Sequence, residues 1–310
     1  MLTRRDLLRS SLVFPLLSCV PVLSSHFTMA FVLVHRPSET IDMLVATLET
    51  IKTQFATTFH YATLGLAAME TETPVHVITA PSFIDVPLEL FVAQICASFY
   101  SQAVDSFDFV SFFLTFPSYE RNDFHLHAKN NIRGVGLPEF DRTSAFFSNR
   151  LLGINVLHSF HYIESTNLAL SLGMQNALLH ETGHQWGVYV GENFQAHGKP
   201  TLLEIKQQNS HFYRGLQSPY PQGTPMNSDN WQQQENGLYA RNNTEGIQRY
   251  HPFQLYFMGL LNEHNFDFTQ QFPVYDTGGA DTLKPWNFDA ATLFAHRSIA
   301  DIINAEGERN

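Results

Sequence analysis

Two histidines four residues apart flank a glutamate in the segment ALLHETGHQWGVYV, residues 177–190. Residues with this spacing lie on one face of an α-helix, so the imidazoles of His180 and His184 can bind one ion. Zinc accepts histidine nitrogens at about 2.0–2.1 Å. Glu181 is rotated by about 100° around the helix axis, which directs its carboxylate beside the open position of the metal. These residues predict one catalytic zinc ion per chain, which activates water.

Glu181 is the predicted catalytic residue. Its carboxylate can take a proton from the activated water and later deliver that proton to the leaving amine. A motif of this length also occurs by chance, so its helical context matters. The opposite side of the same helix carries a stripe that is suited to core packing, and a glycine follows that can end the helix. These residues are Leu179, Gly183, Trp186, Val190 and, at the end, Gly191.

A catalytic zinc site needs three protein ligands and an open position, and this helix supplies only two ligands. The third ligand must come from the polar segment after Gly191, which has to fold back beneath the helix. The candidates in that segment are Glu192, His197, Glu204, His211 and Asp229.

The segments before this helix alternate between helical and strand patterns. Apolar residues with three- and four-residue spacing between Ile41 and Phe55 predict an amphipathic helix that opens at Ser38. A second helix is predicted over 88–104. Strands are predicted at 73–80, 107–116 and 151–160, and 130–141 has the composition of a loop beside an edge strand.

The composition changes after Gly191. Residues 192–250 are polar and show little periodicity, a short helix with Pro252 in its first turn follows, and the chain ends in one more helix. This order of elements predicts an α+β fold in a single domain over 26–310. Its upper lobe is expected over about 26–185 and its irregular lower lobe over about 186–310.

The overall composition is that of a globular protein, with 44% hydrophobic and 15% charged residues in 310. The net charge of −11 argues against a nucleic-acid partner, since phosphate binding needs clustered lysine and arginine. The two cysteines, Cys19 and Cys96, cannot form a disulfide framework. Cys96 lies in an apolar helical pattern that predicts a packed thiol.

The first 25 residues have the layout of an export signal, with a basic start, a short apolar stretch and then small residues. TRRDLL resembles a twin-arginine signal. LLSC resembles a bacterial lipobox, which would place a lipid anchor on Cys19. No later segment is apolar enough to predict a transmembrane span in the mature chain. The sequence thus predicts a periplasmic, extracellular or lipid-anchored protein.

Five segments lie along the chain in the order GVGLPEFD (134–141), LLHETGHQW (178–186), SHFYRGL (210–216), TPMNSDNW (224–231) and RYHPFQLYFMGL (249–260). Together they resemble a bacterial group of extracytoplasmic zinc metalloproteases within the zincin class. The resemblance implies a zincin-like fold, in which a mixed twisted sheet lies over the active-site helix and an irregular subdomain lies below it. It also implies hydrolysis of peptide bonds in protein or peptide substrates.

The resemblance favours His211 as the third zinc ligand, because His211 matches a histidine that follows a polar loop in this family. The metzincin pattern HExxHxxGxxH is matched through Gly187, but its last position is Val190, which cannot bind zinc. The gluzincin pattern would instead use a later glutamate such as Glu204. Met226 resembles the methionine turn beneath the metal of metzincins, where its role would be packing.

Three tyrosine and histidine side chains, Tyr213, Tyr250 and His251, are candidates to stabilise the oxyanion. The expected function is that of a zinc-dependent endopeptidase, with His180, His184 and His211 as ligands and Glu181 as general base and acid. Another zinc hydrolase, an exopeptidase or amidase, could use the same groups. A non-enzymatic surface protein with a structural metal is the third reading, although a structural zinc has no use for Glu181.

Overall fold

The computed structural model describes residues 25–71, 73–80, 86–116, 123–158, 160, 168–186, 215–276 and 288–310. Its strands are β1 (Ser25–His35), β2 (Ala67–Glu70), β3 (His76–Thr79), β4 (Phe109–Leu114), β5 (Phe124–His127), β6 (Lys129–Asn130), β7 (Phe140–Asp141), β8 (Gly153–Leu157), β9 (Trp231–Gln233), β10 (Tyr239–Arg241), β11 (Phe272–Asp276) and β12 (Thr292–Arg297). Its helices are α1 (Asp42–Ala62), α2 (Leu88–Tyr100), α3 (Leu168–Gly183), α4 (Pro252–Phe257) and α5 (Ile299–Glu306).

The main sheet is mixed. β1, β4 and β8 are neighbours and run parallel to one another. β2 and β3 both pair with β1 in parallel, one after the other along its length. β5 forms the opposite edge and runs antiparallel to β8. The remaining strands form three two-stranded sheets, β6 with β7, β9 with β10 and β11 with β12.

Side chains alternate along each strand, so β1 presents apolar side chains on both faces of the sheet. Helices cover both of these faces. Met29, Phe31 and Leu33 of β1 point into a core that contains buried residues of α1 and α3. The intervening residues of β1 point into a second core, which contains buried residues of α2. The first core continues into the later part of the chain, since Met226 and Tyr250 belong to it. Thus α3 is packed between the sheet and the segment that follows residue 215.

The structure confirms the α+β class and most of the predicted elements. The helix predicted at 88–104 is α2, and the strands predicted at 73–80, 107–116 and 151–160 are β3, β4 and β8. The predicted first helix begins later than expected, at Asp42 instead of Ser38, and it has no side-chain cap. Its start is displaced because a turn, closed by the hydrogen bond from Glu39 N to Arg36 O, occupies the preceding residues.

Three strands of the main sheet, β1, β2 and β5, are not predicted by the sequence patterns. β1 begins at Ser25, directly after the stretch assigned to the export signal, and it contributes an unbroken apolar run to the middle of the sheet. Such runs are typical of strands that are covered on both faces. β5 has only four residues. The predicted export signal, including Cys19, lies outside the described residues.

The predicted packed thiol is observed, since the side chain of Cys96 in α2 is fully buried. Burial raises the pKa of this thiol. Helices of the described ranges are too short or too polar to cross a membrane.

The predicted helix at Pro252 is α4, with proline in its first turn, and its N-cap yields a pH prediction. His251 is the N-cap, and its Nδ1 accepts a hydrogen bond of 3.1 Å from the backbone N–H of Phe253. Burial lowers the pKa of His251 from 6.5 to about 3. The unfolded chain therefore binds a proton first as the pH falls. The stability that His251 contributes is complete above about pH 6.5 and is lost as the pH falls through about 3.

We expect the free energy of unfolding to fall across this window by at most about 1.4 kcal/mol per pH unit from this one group. His251→Asn keeps a side-chain acceptor for the cap but does not titrate, so its unfolding free energy should fall less between pH 7 and pH 4. Denaturant titrations of both proteins at these two pH values measure the difference. Equal acid losses in both would contradict the assignment.

Candidate active site

The two histidines of the HExxH motif lie side by side at the end of α3. Their Nε2 atoms are 3.1 Å apart, and their ring planes are nearly perpendicular, at 89°. Two nitrogens that bind one tetrahedral zinc at 2.0–2.1 Å are about 3.3 Å apart. The observed separation between His180 and His184 is close to this value, so the two nitrogens fit a shared metal ion.

The orientation of His180 is fixed by the turn at 224–228. Its Nδ1–H donates a hydrogen bond to the carbonyl of Pro225. The turn is closed by a hydrogen bond of 2.9 Å from Thr224 N to Ser228 O. Metal-binding histidines commonly donate their second ring N–H to a carbonyl group, which fixes the tautomer and leaves the other nitrogen for the metal. The geometry of His180 has this form, in which Nε2 would be the ligand atom.

Met226 packs beneath the helix in the same turn. It is buried, and a Cβ atom built on Gly183 would lie only 2.7 Å from its sulfur and 3.0 Å from Cε1 of Tyr250. The hydroxyl of Tyr250 donates a hydrogen bond of 2.6 Å to the carbonyl of Leu179. Gly183 thus lets two buried side chains approach the helix between the two histidines. Met226 has the packing role that the methionine-turn resemblance implies.

This close approach makes position 183 sensitive to added volume. Gly173 is on the same helix, and a Cβ there would meet nothing within 4 Å. Alanine has a higher helix propensity than glycine, so Gly173→Ala is the reference against which the packing cost of Gly183→Ala is measured. We expect Gly183→Ala to be less stable than Gly173→Ala by about 1–3 kcal/mol, the usual cost of overpacking. Urea unfolding of the two variants measures this difference, and equal stabilities would show that the site has room for a side chain.

Glu181 is buried beside the histidine pair, with an exposed fraction of only 4%. Its Oε2 has no hydrogen-bond partner among the described residues. Burial, followed by the nearby charge of Asp123, raises the pKa of Glu181 to about 8. A buried carboxyl oxygen without a partner is costly unless water or an ion satisfies it. The environment of Glu181 therefore fits a metal-bound water next to its carboxyl group.

The histidines around the site are held in the neutral form. Burial, and then the proximity of His180, lowers the pKa of His184 well below its ordinary value. Burial also lowers the pKa of His125 to about 4 and that of His127 well below the usual range. Zinc binds neutral imidazole, so His184 is already in the protonation state that a ligand needs.

His125 and His127 belong to the site but are not predicted by the sequence patterns. His127 Nε2–H donates a hydrogen bond of 2.9 Å to the carbonyl of His184. The two ring nitrogens of His125 lie 2.8 Å from Oδ1 of Asn155 and 3.1 Å from Oε1 of Gln185. The alternation in FHLH (124–127) is a signal for these residues, because every second side chain of a strand faces the same side. It is too short to identify a strand by itself.

Most candidates for the predicted third zinc ligand lie outside the described part of the chain. His211, the predicted ligand, lies outside the described residues. The alternatives Glu192, His197 and Glu204 lie outside them as well. Asp229 is described, and its Oδ1 accepts a hydrogen bond of 2.6 Å from Asn243. Within the described ranges, no three His, Cys, Asp or Glu side chains are positioned to bind one metal ion.

Of the three oxyanion candidates, two are described and both have structural roles. Tyr250 is fully buried and uses its hydroxyl hydrogen in the bond to Leu179. His251 is fully buried and caps α4. These bonds explain why both residues are placed in the core. Tyr213 lies outside the described residues.

The described residues bring together two imidazoles with adjacent Nε2 atoms, a buried carboxyl group with one oxygen unpaired, and a turn at 224–228 that orients His180. This set can hold a metal ion at two of its positions and can transfer a proton beside it. No protein-family model and no curated protein matches the chain.

Proposed function

We propose that the chain is a zinc-dependent endopeptidase that is exported from the cell and hydrolyses peptide bonds in protein or peptide substrates. The observation that carries the proposal is the 3.1 Å separation of the two Nε2 atoms of His180 and His184, next to a buried Glu181 oxygen that has no partner among the described residues. A purely structural zinc site has no need for an adjacent buried carboxyl group. This combination therefore favours catalysis over a structural metal.

In this proposal, His180 and His184 would bind zinc through Nε2, and His211 would provide the third ligand. Bound zinc would supply a Lewis acid that lowers the pKa of a water molecule to around 7. The carboxylate form of Glu181 would accept the proton of the attacking water at Oε2. It then gives the proton to the leaving amine, which completes one cycle and returns Glu181 to its starting form. The surrounding apolar core limits the access of bulk water to this carboxyl group.

The architecture supports a zincin-like catalytic domain as the finer description of the α+β fold. A mixed sheet packs against the helix that carries the two histidines. On the other side of this helix, a less regular segment contributes Met226 and the Pro225 carbonyl. Both features agree with what the zincin resemblance implies.

The metal content provides the direct test. We expect purified mature protein to contain about one zinc per chain, because a catalytic zinc site is mononuclear in this arrangement. A chelator should abolish hydrolysis of casein or of a peptide library, and added zinc should restore it. Elemental analysis and the digestion assay measure the two quantities. Folded, active protein that contains no metal would overturn the proposal.

A second experiment separates the endopeptidase from an exopeptidase or an amidase that uses the same groups. An exopeptidase must bind a free chain terminus, whereas an endopeptidase cleaves peptides that are blocked at both ends. We expect blocked and free-ended peptides of the same sequence to be cleaved at similar internal bonds. Cleavage confined to free-ended peptides would favour the exopeptidase, and cleavage of neither by a zinc-loaded protein would favour the non-enzymatic surface protein.

A further inference from the structure

The second histidine of the motif lies beyond the last α-helical residue. α3 ends at Gly183, and the backbone N–H of His184 is 3.2 Å from both the His180 and the Glu181 carbonyl oxygens. The next two N–H groups bond to carbonyls three residues back, so the chain tightens into a 3-10 turn. Carbonyl groups in the last turn of a helix have no partner within the helix. The helix alone therefore does not fix the position of His184.

The edge strand β5, together with Lys129 of β6, makes the contacts that hold His184 and Gln185 in place. His127 donates its Nε2–H to the His184 carbonyl at 2.9 Å. His125 contacts Oε1 of the Gln185 side chain at 3.1 Å, and Nε2 of Gln185 donates to the Lys129 carbonyl at 2.9 Å. The two histidines are alternate residues of one strand and face the same helix terminus. A donor at a helix C-terminus is also favoured by the helix dipole.

His125 also contacts residues of β8, the strand that pairs with β5. His125 also contacts Asn155, whose Nδ2 donates a hydrogen bond of 3.0 Å to Oγ1 of Thr182 in α3. A Cβ atom on Gly153 would lie 2.2 Å from Cε1 of His125 and 2.7 Å from Oε1 of Gln185. The imidazole of His125 therefore occupies the space that a side chain at 153 would need. Because Gly153 has no side chain, β8 leaves room for the His125 ring and the Gln185 side chain.

We propose that His125 and His127 are positioning residues, which clamp the last turn of α3 to β5 and so keep Nε2 of His184 opposite Nε2 of His180. This inference rests on the proposed zinc site. The clamp acts through the backbone carbonyl of His184 and the side chain of its neighbour Gln185, not through a metal bond. Its loss should leave both ligand side chains present but allow the His184 ring to move away from the shared ion.

The test compares three variants for zinc affinity and for the visible spectrum of the cobalt-substituted protein. His127→Leu removes the donor, whereas His127→Gln keeps an N–H at a similar distance from the backbone. His60→Leu is the matched control. His60 lies in α1, and its ring also bonds to a backbone carbonyl, that of Ala67 at 3.0 Å. We expect His127→Leu to weaken zinc binding by about 10-fold or more, in the range of outer-shell partners, and to alter the cobalt spectrum. His127→Gln should restore both, and His60→Leu should match the parent.

Amide hydrogen exchange of metal-free protein provides a measurement that does not depend on the metal. In His127→Leu, the amides of 184–186 should exchange faster, while those in the middle of α3 stay protected. Gly153→Ala, which displaces the His125 ring, should produce the same local change without altering a histidine. Parent-like zinc affinity, spectrum and exchange in His127→Leu would overturn the clamp. Failure of the proposed function is distinct, since the parent itself would then bind no zinc.

Discussion

Glu181→Gln should retain zinc and fold while losing at least about 100-fold of the hydrolytic rate, the size of a general acid–base contribution. Glutamine keeps the shape of the side chain and can form hydrogen bonds, but it cannot accept the proton of the attacking water. The site also tolerates a neutral group, because burial raises the pKa of Glu181 to about 8 in the metal-free protein. The substitution therefore removes the proton transfer without introducing a buried charge.

Elemental analysis, thermal unfolding and a peptide digest measure zinc content, stability and rate for the same preparation. Glu263→Gln is a suitable control, since Glu263 is exposed in the loop after α4 and the chemical substitution is the same. It should cleave substrates at the parental rate. A Glu181→Gln protein that digests substrates as fast as the parent would exclude Glu181 as the base.

His211→Ala should weaken zinc binding by more than about 100-fold, beyond the range that outer-shell substitutions produce. The two proposed ligands His180 and His184 come from one helix terminus, and a catalytic zinc needs a third protein ligand. Glu204→Ala should leave the affinity nearly unchanged if His211 is that ligand. Competition with a chromophoric chelator measures both variants.

The opposite result is equally informative. Severe loss of zinc in Glu204→Ala, with parental affinity in His211→Ala, would reverse the assignment in favour of the gluzincin-like arrangement. The resemblance of SHFYRGL (210–216) would then be a misalignment. Circular dichroism of each variant separates the loss of a ligand from the loss of the fold.

Local patterns in the sequence predict the histidine pair and two of the helices of this protein. The four-residue spacing of His180 and His184 predicts two adjacent imidazoles, and the two rings lie side by side at the end of α3. The apolar periodicity between Ile41 and Phe55 and the Pro252 signal likewise predict α1 and α4, apart from the exact start of α1. These predictions succeed because they depend on interactions between residues close in the chain.

Only the tertiary structure revealed the groups that surround the motif. His127 is 57 residues from His184 in the chain, and Pro225 is 45 residues from His180, yet both contact those histidines through single hydrogen bonds. A short strand such as β5 is fixed by pairing with β8, which its own four residues do not encode. The burial that raises the pKa of Glu181 likewise comes from packing of α3 between the sheet and the segment after residue 215. The spacing in the sequence thus identifies His180 and His184 as the pair of proposed ligands. Long-range packing sets the orientation of these two rings and the protonation of Glu181 beside them.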